Sequence, residues 1–339
     1  MGVFYSILSA GLLLFASFSS SPSYQLKTYG VGAGGTNSAT STTYQAQTST
    51  GDVSNGTASS NNYKSLNGPI NTEQLNIPPA PTLNTNGGTY YNEMGVTIQT
   101  GNNPTDATYA IAFSPSPYST TYYVQSNNTL GSSQYYQNYS AWGGSSGTTV
   151  IGLAQNTSYE VSVAAMQGKF TNTEFGAVAT ASTTTPSITF SVSPNSMSLG
   201  ALTYGTVVTS STITYGLTTN ADAGGDVYIQ GQYLGLNSTL RSYKILAVSG
   251  NLSSLSEGFG IQATGITQTS GGPFNIVSAF NLSANNVAAY TTTQQPIFTS
   301  SYPVSGGSAT AVLKAKSAFT DPPSTDYSEN LTFIAAASF

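Results

Sequence analysis

Short segments in which apolar and polar residues alternate recur along most of the chain. Val96 and Ile98 alternate with Thr97 and Gln99, Tyr109, Ile111 and Phe113 share one parity, and Val161 and Val163 alternate with Glu160 and Ser162. A period of two puts such residues on one face of a half-buried strand. The pattern predicts strands over 94–100, 107–113, 120–125, 148–153, 157–166 and 176–181. It resumes over 188–192, 199–202, 207–215, 226–230, 259–263, 311–315 and 330–335. Turn residues separate these segments at short intervals, which argues for an all-β chain of tandem sandwiches rather than βαβ units.

Two proline joints divide the pattern. Each Pro of Pro78-Pro79-Ala80-Pro81 fixes its own φ and biases the residue before it towards extended geometry, and Thr183-Thr184-Thr185-Pro186 repeats the signal. The expected layout is a signal peptide or N-terminal anchor at 1–23 and a Gly/Ser/Thr/Tyr-rich, β-prone segment at 24–77. One β-sandwich at 78–185 and a second at 186–339 follow. In the segment 24–77, Tyr24, Tyr44 and Tyr63 are spaced by about 20 residues and separated by glycines, as short strands joined by turns would be. The first stretch holds an apolar run from Val3 to Phe18, followed by Ser19-Ser20-Ser21-Pro22-Ser23. That is the h-region and small-residue zone of a secretory signal, although no Lys or Arg precedes Lys27. The expected location is therefore extracellular, secreted or on the cell surface, with no membrane span once the signal is cleaved. An uncleaved N-terminal anchor is the alternative.

The run Leu153-Ala154-Gln155-Asn156-Thr157-Ser158-Tyr159-Glu160-Val161-Ser162-Val163 resembles the E–F corner and F strand of a fibronectin type III domain. The resemblance spans roughly residues 79–184. It implies an Ig-like sandwich with a structural tyrosine corner, in which Leu153 precedes the turn and the Tyr159 hydroxyl bonds upstream backbone. Val96 and Ile98 stand where that family usually carries a core Trp, and no Arg-Gly-Asp occurs. Residues 186–339 resemble bacterial surface modules that follow type III domains in small-genome lineages. They are distantly similar to the surface module named for its Trp-x-Leu motifs, with Leu331-Thr332-Phe333 in the place of one motif. As a whole, the chain resembles a family of secreted bacterial surface proteins with this layout.

Composition narrows the function. The 339 residues include neither Cys nor His, and only 6% are charged. No Ser-His-Asp triad, Cys-His dyad or His/Cys metal site can be built. Seven Lys plus Arg give no basic footprint for nucleic acid, and the net charge of −5 is modest. No catalytic residue, cofactor or metal is expected. Asp222 and Asp226 flank Gly224-Gly225, and Asp321 and Asp326 flank Pro322-Pro323; both pairs read as turn formers. Asn220, Asp222 and Asp226 make a set too thin for calcium. Gly258 and Gly260 in Glu257-Gly258-Phe259-Gly260 read as positions of close backbone approach.

Tyrosine is abundant, at 23 residues. Tyr and Trp offer rigid contact area with a polar handle. Tyr122, Tyr123, Tyr135, Tyr136, Tyr139 and Trp142 make a candidate aromatic contact patch, against the plainer reading that they cover sheet faces. The expected function is non-catalytic and modular, structural or adhesive, with a cell-surface glycan or protein as partner. A self-associating filament or layer subunit is the first alternative, and an accessory module of a carbohydrate-active system the second.

Overall fold

The computed structural model describes residues 75–85, 89–168 and 171–339, together with the backbone of six short strands between residues 20 and 67. The apolar run at 3–18, Tyr44 and Tyr63 lie outside the described residues. The six strands pair antiparallel in three ribbons, the longest joining Gly34–Thr40 to Gln45–Thr50. From residue 75 onwards the ladders between strands are all antiparallel, and the only helical element among the described residues is a 3-10 turn at Gly144–Ser146. The all-β expectation holds.

The first set of strands comprises β1 (Thr82–Asn84), β2 (Met94–Thr97), β3 (Thr108–Pro115), β4 (Tyr122–Val124), β5 (Thr148–Val150), β6 (Ser158–Gln167) and β7 (Ala179–Ser182). One sheet runs β1–β2–β5. The other runs β4–β3–β6–β7, with two-residue strands added along it. The alternating residues meet between the sheets, where Met94, Val96 and Ile98 face Tyr109, Ile111, Phe113, Val161 and Val163 in one buried cluster.

Trp142 completes this core from an unexpected direction. It is fully buried, and its indole N–H donates to the Tyr109 carbonyl at 2.7 Å. The tight turn that delivers it needs glycine at 143, where φ is +79° and a Cβ would lie 1.9 Å from the Gly147 carbonyl oxygen.

The second set comprises β8 (Ile188–Ser193), β9 (Val207–Thr209), β10 (Ile213–Thr219), β11 (Gly225–Gly231), β12 (Gly258–Thr267), β13 (Phe274–Ile276), β14 (Gln295–Ser300), β15 (Val304–Lys316) and β16 (Leu331–Ala337). Strand β15 pairs with β9 and β10 on one side and with β12 on the other, and β8 extends this sheet beyond β10. Ser210 bridges the break between β9 and β10. Its N–H donates to the Leu313 carbonyl, and its Oγ accepts the Leu313 N–H, both at 2.9 Å. The opposing sheet runs β13–β14–β11–β16. Ile213, Tyr215, Leu217, Phe259 and Ile261 from the first sheet meet Val227, Ile229 and Phe298 from the second.

A layer of loops covers the outer face of the β15 sheet. Cβ atoms on Gly258 and Gly260 would come within 2.5 Å of Val248 and 2.7 Å of Val287, so these glycines do admit close approach. The buried Lys314 and Lys316 lie under the same layer. Their ammonium groups donate to the carbonyls of Ala284 and of Ser253 and Leu255.

The strand expected at 199–202 is irregular chain; Leu199 and Leu202 pack on the core without joining a ladder. Strand β14 was not anticipated, because Pro296 lowers the strand signal of its segment. The ladder admits that proline at a register shift: Val227 faces Phe298, Tyr228 faces Pro296, and the buried Ile297 is the extra residue.

Two tyrosines give opposite expectations for one substitution. Tyr159 Oη accepts the Ala154 N–H at 2.9 Å, whereas the hydroxyl of the fully buried Tyr215 has no partner. Tyr159→Phe should lower stability by about 1–2 kcal/mol. Tyr215→Phe removes an unsatisfied buried group and should raise stability by about 1 kcal/mol. Urea melts of the two variants check the sign, and shifts in the same direction would contradict this account.

Candidate functional site

Around Leu153 and Tyr159 the structure forms a bolted corner. Both side chains are buried, and the Tyr159 ring meets Phe113 edge-on at 5.7 Å. Burial pushes the Tyr159 hydroxyl above the usual tyrosine range, while the bond from Ala154 N–H pulls the other way. The buried Thr183 closes the corner from β7's end, donating to the Ala154 carbonyl at 2.6 Å and accepting the Thr157 N–H at 3.0 Å.

The six rings singled out in the sequence do not form one contact patch. Trp142 is in the core, and Tyr135 packs against it edge-on at 6.4 Å. Tyr139 meets the buried Tyr109 ring at 6.4 Å. Tyr123 lies opposite Ala112 on the outer face of β3, the face that also carries Ala110 and, across the ladder, Ala164. Those three alanines are buried although they point away from the core. Tyr123 stands on that face with Phe175 at 5.8 Å. Burial, and to a lesser degree Tyr123, pushes the Tyr136 hydroxyl above the usual tyrosine range. Only Tyr122, 38% exposed, counts among the exposed large side chains. The proposed surface role of Trp142 is therefore wrong: its side chain completes a core to which β2 and the residue after it contribute only Met94, Val96 and Ile98.

The carboxylates collect backbone and hydroxyl donors. Glu329 Oε1 accepts the N–H groups of Gln232 at 3.0 Å, Tyr233 at 2.9 Å and Asn330 at 2.9 Å. Its Oε2 accepts the Gly235 N–H at 2.7 Å and the Tyr290 hydroxyl at 2.9 Å. Burial and the Glu329 charge push the Tyr290 hydroxyl far above the usual range. Asp326 caps the turn after the strand Gly235–Ser238, accepting the Leu240 N–H at 2.9 Å and the hydroxyls of Thr239, Ser238 and Ser324. These donors hold its carboxyl well below the usual range. The Tyr243 hydroxyl lies 2.9 Å from Glu257 Oε2 and 3.0 Å from Asp321 Oδ1, bridging the two carboxyls. Burial and Asp321 push the Glu257 carboxyl up.

At the joint between the two sandwiches, Asn220 clamps the linker. Its Oδ1 accepts the Ser187 N–H at 2.7 Å, and its Nδ2 donates to the Thr185 carbonyl at 2.9 Å. Asp226 accepts the Tyr228 hydroxyl at 3.1 Å. Asn220, Asp222 and Asp226 thus serve separate partners. Among the described residues no three of His, Cys, Asp or Glu cluster around one point, and no helix is long and apolar enough to cross a membrane.

The exposed rings lie elsewhere. Tyr204 is 63% exposed and Phe319 83% exposed, and the two meet edge-on at 5.5 Å. The loop that carries Phe319 continues through Asp321 and Pro323 to Ser324 and Thr325. There it forms a shallow groove with Leu240 and Arg241, whose Nε donates to the Pro323 carbonyl at 2.8 Å. Sequence reasoning missed this surface, because the Tyr204 and Phe319 loops are far apart in the chain.

No protein-family model matches the chain, and no curated protein matches it.

Glu329→Gln keeps the shape but removes the charge and one of the two acceptor oxygens that serve five donors. It should cost about 2 kcal/mol or more, which a thermal or urea melt would register. A change within about 0.5 kcal/mol would show that the site tolerates the loss as an ordinary surface position does.

Proposed function

We propose that the chain is an extracellular, non-catalytic surface protein whose two β-sandwiches are displayed end to end and make adhesive contacts with a cell-surface glycan or protein. Several features support this reading. The sheet pair β1–β2–β5 and β4–β3–β6–β7, with a Tyr hydroxyl bonded to the turn before its strand, is what a fibronectin type III domain requires. The second sandwich fits the surface-module half of the layout, and the apolar run at 3–18 fits export. A chain without His or Cys, whose carboxylates are engaged with turn backbone and hydroxyls, suits contact better than chemistry.

The exposed Tyr204–Phe319 pair carries the adhesive part of the proposal. Large rings held against each other on two loops present apolar faces and one phenol hydroxyl, the equipment of an aromatic platform for sugars or peptide side chains. The full chain should bind in a glycan array or a cell-wall pull-down. Tyr204→Ala and Phe319→Ala should each weaken that binding at least about tenfold, as loss of a central aromatic anchor does, with the thermal midpoint nearly unchanged. Binding that survives both substitutions would place the contact elsewhere.

One observation favours a second reading, a self-associating subunit. Strand β16 is seven residues long, carries no charge or proline, and among the described residues pairs on one side only. An uncharged apolar edge is a template for a strand from another chain. Light scattering on the purified protein separates the readings: a monomer favours display, and ordered polymers favour strand exchange.

A further inference from the structure

The turn Ala221–Gly224 of the second sandwich meets the loop ahead of β2 of the first. Asn92 on that loop is only 8% exposed. Its Nδ2 donates to Asp222 Oδ2 at 2.5 Å. The remaining side-chain oxygens of this joined pair, Asn92 Oδ1 and Asp222 Oδ1, are both buried and have no hydrogen-bond partner. Buried acceptors are almost always satisfied, and an orphaned carboxylate oxygen is the costlier kind. Two orphans on groups already in contact point to one missing electropositive partner. Turning the Asn92 amide over does not remove the deficit. It would set an oxygen against Asp222 Oδ2 and still leave Asp222 Oδ1 bare.

The surroundings add negative charge. The Asp222 charge reaches Glu93, the residue after Asn92, and both charges reach the Tyr90 hydroxyl. The side chains named here, Asn92, Asp222, Glu93 and Tyr90, offer amide, carboxylate and phenol oxygens. Oxygen donors of mixed charge suit a hard cation. Calcium accepts irregular sets that include amide carbonyls, whereas magnesium demands a near-ideal octahedron and keeps much of its water.

We propose that Asn92 Oδ1 and Asp222 Oδ1, with the Glu93 carboxylate beside them, bind a calcium ion that ties the two sandwiches together at their joint. The remaining coordination positions go to backbone carbonyls and water. A single buried water would also satisfy the two oxygens, and titration distinguishes water from ion.

The test uses the full chain stripped with a chelator. Calcium chloride is titrated by calorimetry, and terbium is followed by tyrosine-sensitised luminescence. The expected result is one site per chain with Kd between about 10⁻⁵ and 10⁻³ M, weaker binding of magnesium, and a calcium-dependent rise in Tm. Asp222→Asn keeps an acceptor for the Asn92 amide and should weaken calcium at least about tenfold, while Asp226→Asn should leave it unchanged. No heat, no luminescence and no rise in Tm with calcium up to about 10 mM would overturn the proposal in favour of water. Unchanged affinity in a folded Asp222→Asn chain would also overturn it.

Discussion

The second sandwich depends most on the two-sided pairing of β15. Its thirteen residues carry β9 and β10 along one edge and β12 along the other, so its backbone groups are satisfied almost from end to end. That pairing dictates its side chains. Ala309, Ala311 and Ala315 turn inward and are buried, leaving volume for Tyr215, Phe259 and Phe298 from other strands. Lys314 and Lys316 turn outward, yet the loop layer over the sheet buries them as well. Their ammonium groups then serve as donors to loop carbonyls that have left the ladder, and burial lowers the Lys314 pKa. The cations thus serve as hydrogen-bond anchors for irregular backbone.

The carboxylates follow the same logic in reverse. In a chain that is 6% charged, Glu329 and Asp326 hold backbone N–H groups that turns leave without ladder partners. A charge-assisted hydrogen bond is stronger than a neutral one, so a few charges placed at the irregular points tie down backbone in a chain that has no disulfide to do so. Glu329 joins residues nearly a hundred positions apart, since its partner Gln232 is 97 residues away. The turn at Gln232–Gly235 and the segment leading into the last strand are therefore tied together.

Local patterns were legible in the sequence, and long-range meetings were not. Tyr159 could be read because a tyrosine corner is written within seven residues, and β3 and β6 because alternation survives in any sandwich. Gly258 and Gly260 could be read as points of close approach, but not what approaches them. Trp142 was misjudged because a glycine-rich neighbourhood resembles a surface loop; only the bond to the Tyr109 carbonyl, 33 residues away, shows that the turn aims inward. Pro296 concealed β14, since a proline within a central strand is accommodated at a bulge, which the sequence does not announce. Tyr204 and Phe319 each resemble an ordinary apolar residue in its own loop, and their pairing exists only once β15 has brought the loops together.

At the joint between the sandwiches these separate devices act on one place in the chain. A linker such as Thr184-Thr185-Pro186-Ser187 would leave two modules free to swing if it were only extended chain. Here Thr183 is bolted to Ala154 and Thr157 in the turn before β6 on one side, and Asn220 holds Thr185 and Ser187 on the other. The Asn92–Asp222 bond and the Tyr91–Phe339 ring contact at 5.7 Å connect the bodies beyond the linker. Each of these is a modest interaction. Together they act on one hinge, so bending it must break several at once. On the adhesive reading proposed above, fixing the direction in which the second sandwich points lowers the entropy cost of a contact through Tyr204 and Phe319, so that weak individual contacts by many copies would suffice.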